Sequence, residues 1–221
     1  MNPAFPLPQV HPLPATLAQW EDTTNAGDYF EEVKPTPLGY LIWSEFPIKV
    51  YLDQPINPNE TIASDRRFIQ WVEAVMQAIN EWNTYLPLTI IEDAETADIV
   101  IKRSHPEMKA TFNRETGQFD IPRARTAQTR YSFYLKKIPN SLPILSHKMT
   151  IQLSPNQSQA NTLATARHEL GHGLGIWGHS LDENDALYFS QVRNPPKISV
   201  RDVNTLKAIY QQPTRLGWEL Q

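Results

Sequence analysis

Three histidines and one glutamate crowd into a single short segment, HELGHGLGIWGHS, running from His168 to Ser180. His168 and His172 are four residues apart, so on a helix both imidazoles project from one face about one turn apart. Two neutral imidazoles converging in this way occupy two corners of a tetrahedral zinc site. Glu169, next to the first ligand, is placed to take a proton from a water held at the metal rather than to bind the metal itself. A third ligand cannot come from further along the helix, whose face drifts away from the ion. Gly175 provides the exit, because glycine accepts the left-handed backbone that ends a helix. Ile176, Trp177 and Gly178 then lead the chain back, and His179 can return to the metal. Three histidines leave one coordination position open to water, the pattern of a reactive centre rather than a closed structural one. Gly171 and Gly173 each cost about 1 kcal/mol relative to alanine inside a helix, so close approach of the metal or of a neighbouring element is expected there.

The segment needs a helix beneath it and a scaffold around that helix. The helix is expected to begin near Ser158 or Asn161 and to run to about Leu174. Earlier, Phe68, Trp71, Val72, Val75, Ile79 and Trp82 share one face of a helix over 65–84, with Ser64 as its cap. IKVYL (48–52), residues 86–91, 97–102, 130–135 and 148–153 read as strands. A last helix spans 200–211, with Ser199 and Asp202 forming a capping box and Pro213 beyond its end. A helix between early strands predicts α/β crossovers on a mixed, twisted sheet. Residues 103–128 give no clear signal.

The chain has 221 residues, 40% hydrophobic and 20% charged, which suits one or two globular domains. Residues 1–40 are rich in proline and form an N-terminal extension, either a flexible arm or a wrap made through Trp20, Tyr29 and Phe30. Residues 41–221 form the main domain. There is no cysteine, which excludes disulfides, thiolate ligands and a cysteine nucleophile. The start, MNPAFPLPQV, lacks the pattern of a signal peptide, and with the missing cysteine this favours a cytoplasmic location. No apolar stretch is long enough to span a membrane. The net charge of −4 gives no reason to expect nucleic acid, although Arg123, Arg125, Arg130, Lys136 and Lys137 form a local basic run.

HELGHGLGIWGHS resembles the zinc signature of the metzincin metallopeptidases, most closely the matrixin-like group. The usual pattern is HExxHxxGxxH, a serine, and a methionine about eight residues later in a tight turn. His168, Glu169, His172, Gly175 and Ser180 match it. The third histidine is displaced by one residue, and Leu187 stands where the methionine is expected, an apolar floor without a thioether. FPIKVYL, AINEWNTYLPLTI, ADIVI and SVRDVNTLKAIY are similar to the family's first strand, first helix with second strand, third strand and C-terminal helix. The C-terminal NTLKAIYQQPTRLGW is similar to a cyanobacterial group of small metallopeptidases. The resemblance implies a zincin fold of α/β (α+β) class and one catalytic zinc held by His168, His172 and His179. It also implies endopeptidase hydrolysis of extended peptides, with Glu169 as general base. Leu187 and Tyr188 would help wall the site. Tyr188 either donates a hydrogen bond to the tetrahedral intermediate or simply packs as a wall residue. Asp185 would orient the turn through backbone hydrogen bonds, or bind the metal if His179 does not reach it. An edge strand at Arg130–Leu135 would receive the peptide. The family's cysteine-bearing propeptide and its second, structural zinc have no counterpart, and His11, His105 and His147 read as isolated surface or hydrogen-bonded histidines. The alternatives are a catalytically inactive zinc- or peptide-binding module, an amidase on small conjugated peptides, and a nucleic-acid binder using the basic run.

Overall fold

The computed structural model describes residues 4–107, 111–113, 117–120 and 125–221. Arg123 of the basic run lies outside them. The main sheet takes β1 (Ile48–Leu52), β2 (Leu88–Ile90), β3 (Ile99–Lys102), β6 (Ala127–Lys136) and β7 (Ile144–Leu153) in the order β2-β1-β3-β7-β6. β1, β2, β3 and β7 are parallel, and β6 joins β7 antiparallel at one edge. A separate hairpin pairs β4 (Thr111–Asn113) with β5 (Gln118–Asp120), within the stretch that gave no clear sequence signal.

The sheet is mixed, as the crossover pattern requires. α2 (Ala63–Asn83) carries the chain from β1 to β2, which lie side by side and parallel. Its buried face is Trp71, Ala74, Val75, Ala78, Ile79 and Trp82. The helix starts earlier than Ser64 suggests. Its N-cap is Ile62, which makes no side-chain cap, and Ser64 lies inside the first turn. A turn in which the Asn59 side chain accepts from Thr61, and the Asp65 carboxylate accepts from the Asn59 amide, brings the chain in one step sooner.

Central β3 buries Ile99, Val100 and Ile101 in succession, the mark of a strand covered on both faces. β7 alternates instead, with Leu145, His147, Met149, Ile151 and Leu153 all turned inward. α3 (Gln159–Gly173) lies against β6, β7 and α2. Trp82 Nε1 donates to the Arg167 carbonyl (2.9 Å), and the Arg167 guanidinium grips the Glu81 carboxylate through two nitrogens. These contacts fix α3 to α2.

His147 departs from expectation. It is buried, its ring stacks on Trp43 at 3.8 Å between centroids, and its Nε2 has no partner among the described residues. The inward turn of every second residue of β7 forces it into the core. His105 does lie at the surface, in hydrogen-bond reach of Ser154 Oγ, and His11 Nε2 meets the Leu216 carbonyl.

Of the two expectations for the N-terminal segment, the structure has the wrap. Ala4 pairs with Gln221 and Gln9 with Thr214 through their backbones. The short helix α1 (Ala15–Gln19) buries Leu17, and Tyr29 and Val33 reach the core. Trp20 Nε1 donates to Asn204 on α4 (Val200–Tyr210). No helix of the described residues is long and apolar enough to cross a membrane.

Candidate metal centre

Ser158 caps α3, its hydroxyl accepting the Asn161 amide (3.2 Å), and the helix carries His168, Glu169 and His172 into a cleft of about 1340 Å³. At its far end Leu174 closes the last turn and Gly175 takes φ +124°. A side chain at Gly175 would also run into the Leu41 carbonyl, so both backbone shape and space demand glycine. The chain then returns through the buried Ile176, and His179 faces the two helical histidines. The residue by which this return is longer than the family pattern is braced by the N-terminal segment. The Lys34 amide donates to the Trp177 carbonyl (3.1 Å), and Gly178 lies so close to the Glu32 carbonyl that a Cβ would collide with it.

The ligand atoms of His168, His172 and His179 all lie within 4.8 Å of one another, a cluster able to hold a metal ion. The hydrogen bonds specify which nitrogens are free. His168 Nδ1 donates to the Ala186 carbonyl (2.9 Å) and His172 Nδ1 to the Ile176 carbonyl (2.7 Å), since a carbonyl can only accept. Each neutral ring therefore turns a bare Nε2 inward, and the two Nε2 atoms stand 3.1 Å apart. Neither has a proton to share, so their lone pairs repel unless a cation lies between them. Two ligands of a tetrahedral zinc are about 3.3 Å apart, which this spacing suits. Burial, and then the neighbouring imidazole charge, hold the pKa of His168 down to about 4; burial brings His172 to about 4 as well and lowers His179. All three rings are thus neutral near pH 7, the state in which imidazole binds metal.

Glu169 follows His168 on the same helix and is buried, and burial raises its carboxyl pKa. Thr129 on β6 donates its hydroxyl to Glu169 Oε2 at 2.6 Å. This partner has no sequence signal, because forty positions separate the two residues and only the packing of α3 on β6 joins them.

Beyond His179 the chain folds back under the helix. The Ser180 amide donates to the Leu187 carbonyl (2.8 Å) and the Phe189 amide to the Ser180 carbonyl (3.3 Å). Leu187 is fully buried and presses on Gly171; it does not line the cleft, whereas Asp185 and Tyr188 do. Tyr188 packs on Phe189 with ring centroids 4.5 Å apart. Asp185 joins the turn through its backbone, its amide donating to the Asp182 carbonyl (3.1 Å) and its carbonyl accepting the Tyr188 amide (3.1 Å), and through its side chain as well. Ser180 Oγ (2.5 Å), Ser199 Oγ (2.6 Å) and Arg201 Nε (3.0 Å) all donate to its carboxylate. Those partners absorb it, and the metal-ligating cluster is made of the three histidines without it.

Asp202 does more than the capping box implies. With Ser199 it closes the box, but it also accepts the Tyr29 hydroxyl (2.5 Å) and the amides of Ala186 (2.8 Å) and Leu187 (3.4 Å). The Ala186 peptide then holds His168 through its carbonyl. A hydrogen-bonded chain thus runs from the N-terminal segment, through α4, to a metal-facing ring.

β6 forms the other side of the cleft. Among the described residues it has no strand beyond it, and its residues Ala127, Gln128, Thr129 and Tyr131 line the cleft together with Arg125 and Thr126. The cleft-lining part of the edge is therefore the N-terminal portion of β6 rather than the whole of Arg130–Leu135. The Ser154 amide bonds the Thr126 carbonyl (2.8 Å), and Ala127 pairs with Leu153. By the alternation of an antiparallel ladder, the backbone groups of Ala127, Thr129 and Tyr131 point away from β7, to the open side.

No curated protein matched the chain when it was compared with them. The family model for matrixin matches residues 59–211, most of the chain and all of the cluster. With a mixed zincin sheet, a histidine triad and this match, the chain belongs to the matrixin family of zinc metallopeptidases.

Proposed function

We propose that this protein is a zinc-dependent endopeptidase that hydrolyses extended peptides. His168, His172 and His179 would hold the ion. Zinc, when bound there, supplies Lewis-acid chemistry, polarising a peptide carbonyl and acidifying water.

The chain's own residues do the rest. The Ala186 and Ile176 carbonyls lock two ligand tautomers in place. Glu169 accepts the proton of the attacking water and passes it to the leaving amine, and burial suits its carboxylate to this by making it a stronger base. A substrate strand pairs with the open backbone groups of Ala127 and Tyr131 and with the Thr129 carbonyl, which sets it across the cleft beside Glu169. Leu181 and Phe189, both exposed at the cleft, offer apolar contact to its side chains. The C-terminal NTLKAIYQQPTRLGW supports grouping the chain with the small cyanobacterial metallopeptidases.

The observation that carries this reading is the pair of bare Nε2 atoms 3.1 Å apart, with a buried carboxylate on the adjoining residue. The test is a paired assay of bound zinc and peptide cleavage in the parent and in Glu169→Ala. Retained zinc with activity reduced by about 10²-fold or more is expected. Equal activity in the two proteins contradicts the role of Glu169. Bound zinc with no cleavage of any peptide by the parent favours a non-catalytic binding module.

A further inference from the structure

We propose that Thr129 is a positioning residue that ties the orientation of the Glu169 carboxylate to the strand edge on which the substrate lies. The inference rests on the peptidase reading above and adds a residue to its machinery.

The geometry is specific. Thr129 Oγ1 lies 2.6 Å from Glu169 Oε2 and 3.1 Å from the Glu169 carbonyl, so one buried hydroxyl spans side chain and backbone of the same residue. A threonine hydroxyl has a single proton, and a carboxylate oxygen is the stronger acceptor, so the proton goes to Oε2. Oε2 is thereby held, and Oε1 is left as the oxygen that can serve the reaction.

The anchor is rigid for two reasons. Thr129 is β-branched, with few χ1 choices on a strand. Its position is also set by the ladder, in which Thr129 stands opposite the fully buried Ile151. The hydroxyl is therefore a fixed point of the sheet rather than of the helix that bears Glu169.

Thr129 is also one of the residues whose backbone groups face the open side of β6. The Thr129 amide as well as its hydroxyl bonds the Glu169 carboxylate, so the same residue addresses the base with its hydroxyl and amide and a docked peptide with its carbonyl. A peptide in register on β6 would be placed relative to Glu169 through one residue, so an error in the distance between sheet and helix would not propagate into the reacting geometry. A misplacement of about 1 Å at such a point can cost about 10²-fold in rate.

The test compares Thr129→Val, which keeps shape and removes the hydroxyl, with Thr129→Ser, which keeps the hydroxyl. Zinc content, kcat and KM are measured on a fluorogenic peptide. Thr129→Val should bind zinc as the parent does and keep KM within about twofold, while kcat falls by about 10-fold to 100-fold. Thr129→Ser should recover kcat to within about threefold. Thr129→Ala, which cannot overpack the site, should lose kcat as Val does, and it replaces Val if that variant folds poorly. Unchanged kcat in both hydroxyl-free variants, or a loss confined to KM, overturns the proposal.

A readout independent of turnover separates this proposal from the peptidase reading. In zinc-free protein with ¹³C-labelled glutamate carboxyls, the Glu169 resonance (assigned with Glu169→Gln) should move in Thr129→Val and stay near the parent position in Thr129→Ser. If the parent cleaves no peptide, the peptidase reading fails, and the resonance still decides whether Thr129 holds the carboxylate. A resonance unmoved by Thr129→Val overturns the proposal.

Discussion

The Leu187 side chain lies directly against the Cα of Gly171: a Cβ added there would sit 2.5 Å from Leu187 Cδ2 and 3.1 Å from Cδ1. The glycine between Glu169 and His172 is the price of bringing the returning turn up against the helix. That contact places the Ala186 carbonyl, one residue before Leu187, on His168. Gly171→Ala gains about 1 kcal/mol of helix propensity but forces a fully buried leucine to move. A net loss of about 1–3 kcal/mol in urea unfolding is expected, as for other overpacked cores. Combined with Leu187→Ala, the alanine should cost less than the sum of the single changes. A more stable Gly171→Ala protein would contradict this packing.

The path from Tyr29 through Asp202 and Ala186 to His168 predicts that residues away from the ion tune its affinity. Asp202→Asn puts an amide nitrogen among four donors, those of Tyr29, Ala186, Leu187 and Ser199. Zinc affinity measured by chelator competition should fall by about 10-fold to 100-fold. Tyr29→Phe removes one donor from a buried carboxylate and should cost about 1–3 kcal/mol of stability, with a smaller loss of affinity. Parent-like zinc affinity in Asp202→Asn would break the proposed connection.

His147 makes a pH prediction away from the metal. Its pKa is pushed by burial from 6.5 to about 3. Between those values the unfolded chain takes up a proton that the folded one refuses, so stability falls as pH falls through the window and is fully present above it. By pH 5 this residue should account for about 2 kcal/mol of lost stability. His147→Phe keeps a ring against Trp43 and cannot titrate, so its stability should decline less between pH 7 and pH 5. His168 and His172 titrate in both proteins, so the difference between the two curves isolates His147. Parallel curves would contradict its burial as a neutral ring.

How legible the site was in the sequence depended on how local each part is. The pairing of His168 with His172, the exit at Gly175 and the cap formed by Ser199 and Asp202 are set by contacts within a few residues, and spacing alone expresses them. Gly171 and Gly173 signalled a close approach without naming what approaches. Leu187 and Ile151 supply those neighbours, the latter 3.3 Å from a Cβ placed on Gly173. Thr129 gave no signal, because its meeting with Glu169 depends on how α3 packs on β6. For the N-terminal segment the aromatic residues Trp20, Tyr29 and Phe30 suggested a wrap without deciding between it and a flexible arm, since its anchors, Tyr29 on Asp202 and Lys34 on Trp177, join residues over a hundred positions apart. His147 read as a surface or hydrogen-bonded histidine because its polar type masked its position in the hydrophobic pattern and the strand was expected only from residue 148, whereas β7 begins at Ile144.

The central claim is that three imidazoles meet at one metal ion, and X-ray absorption at the zinc edge tests it most directly. Zinc-loaded protein should show three nitrogen scatterers at about 2.0–2.1 Å together with a lighter contribution from solvent. His179→Ala should lose one of the three imidazole signals. A parent spectrum without three imidazoles, a His179→Ala spectrum identical to it, or a parent protein that releases its zinc on simple dialysis would contradict the account.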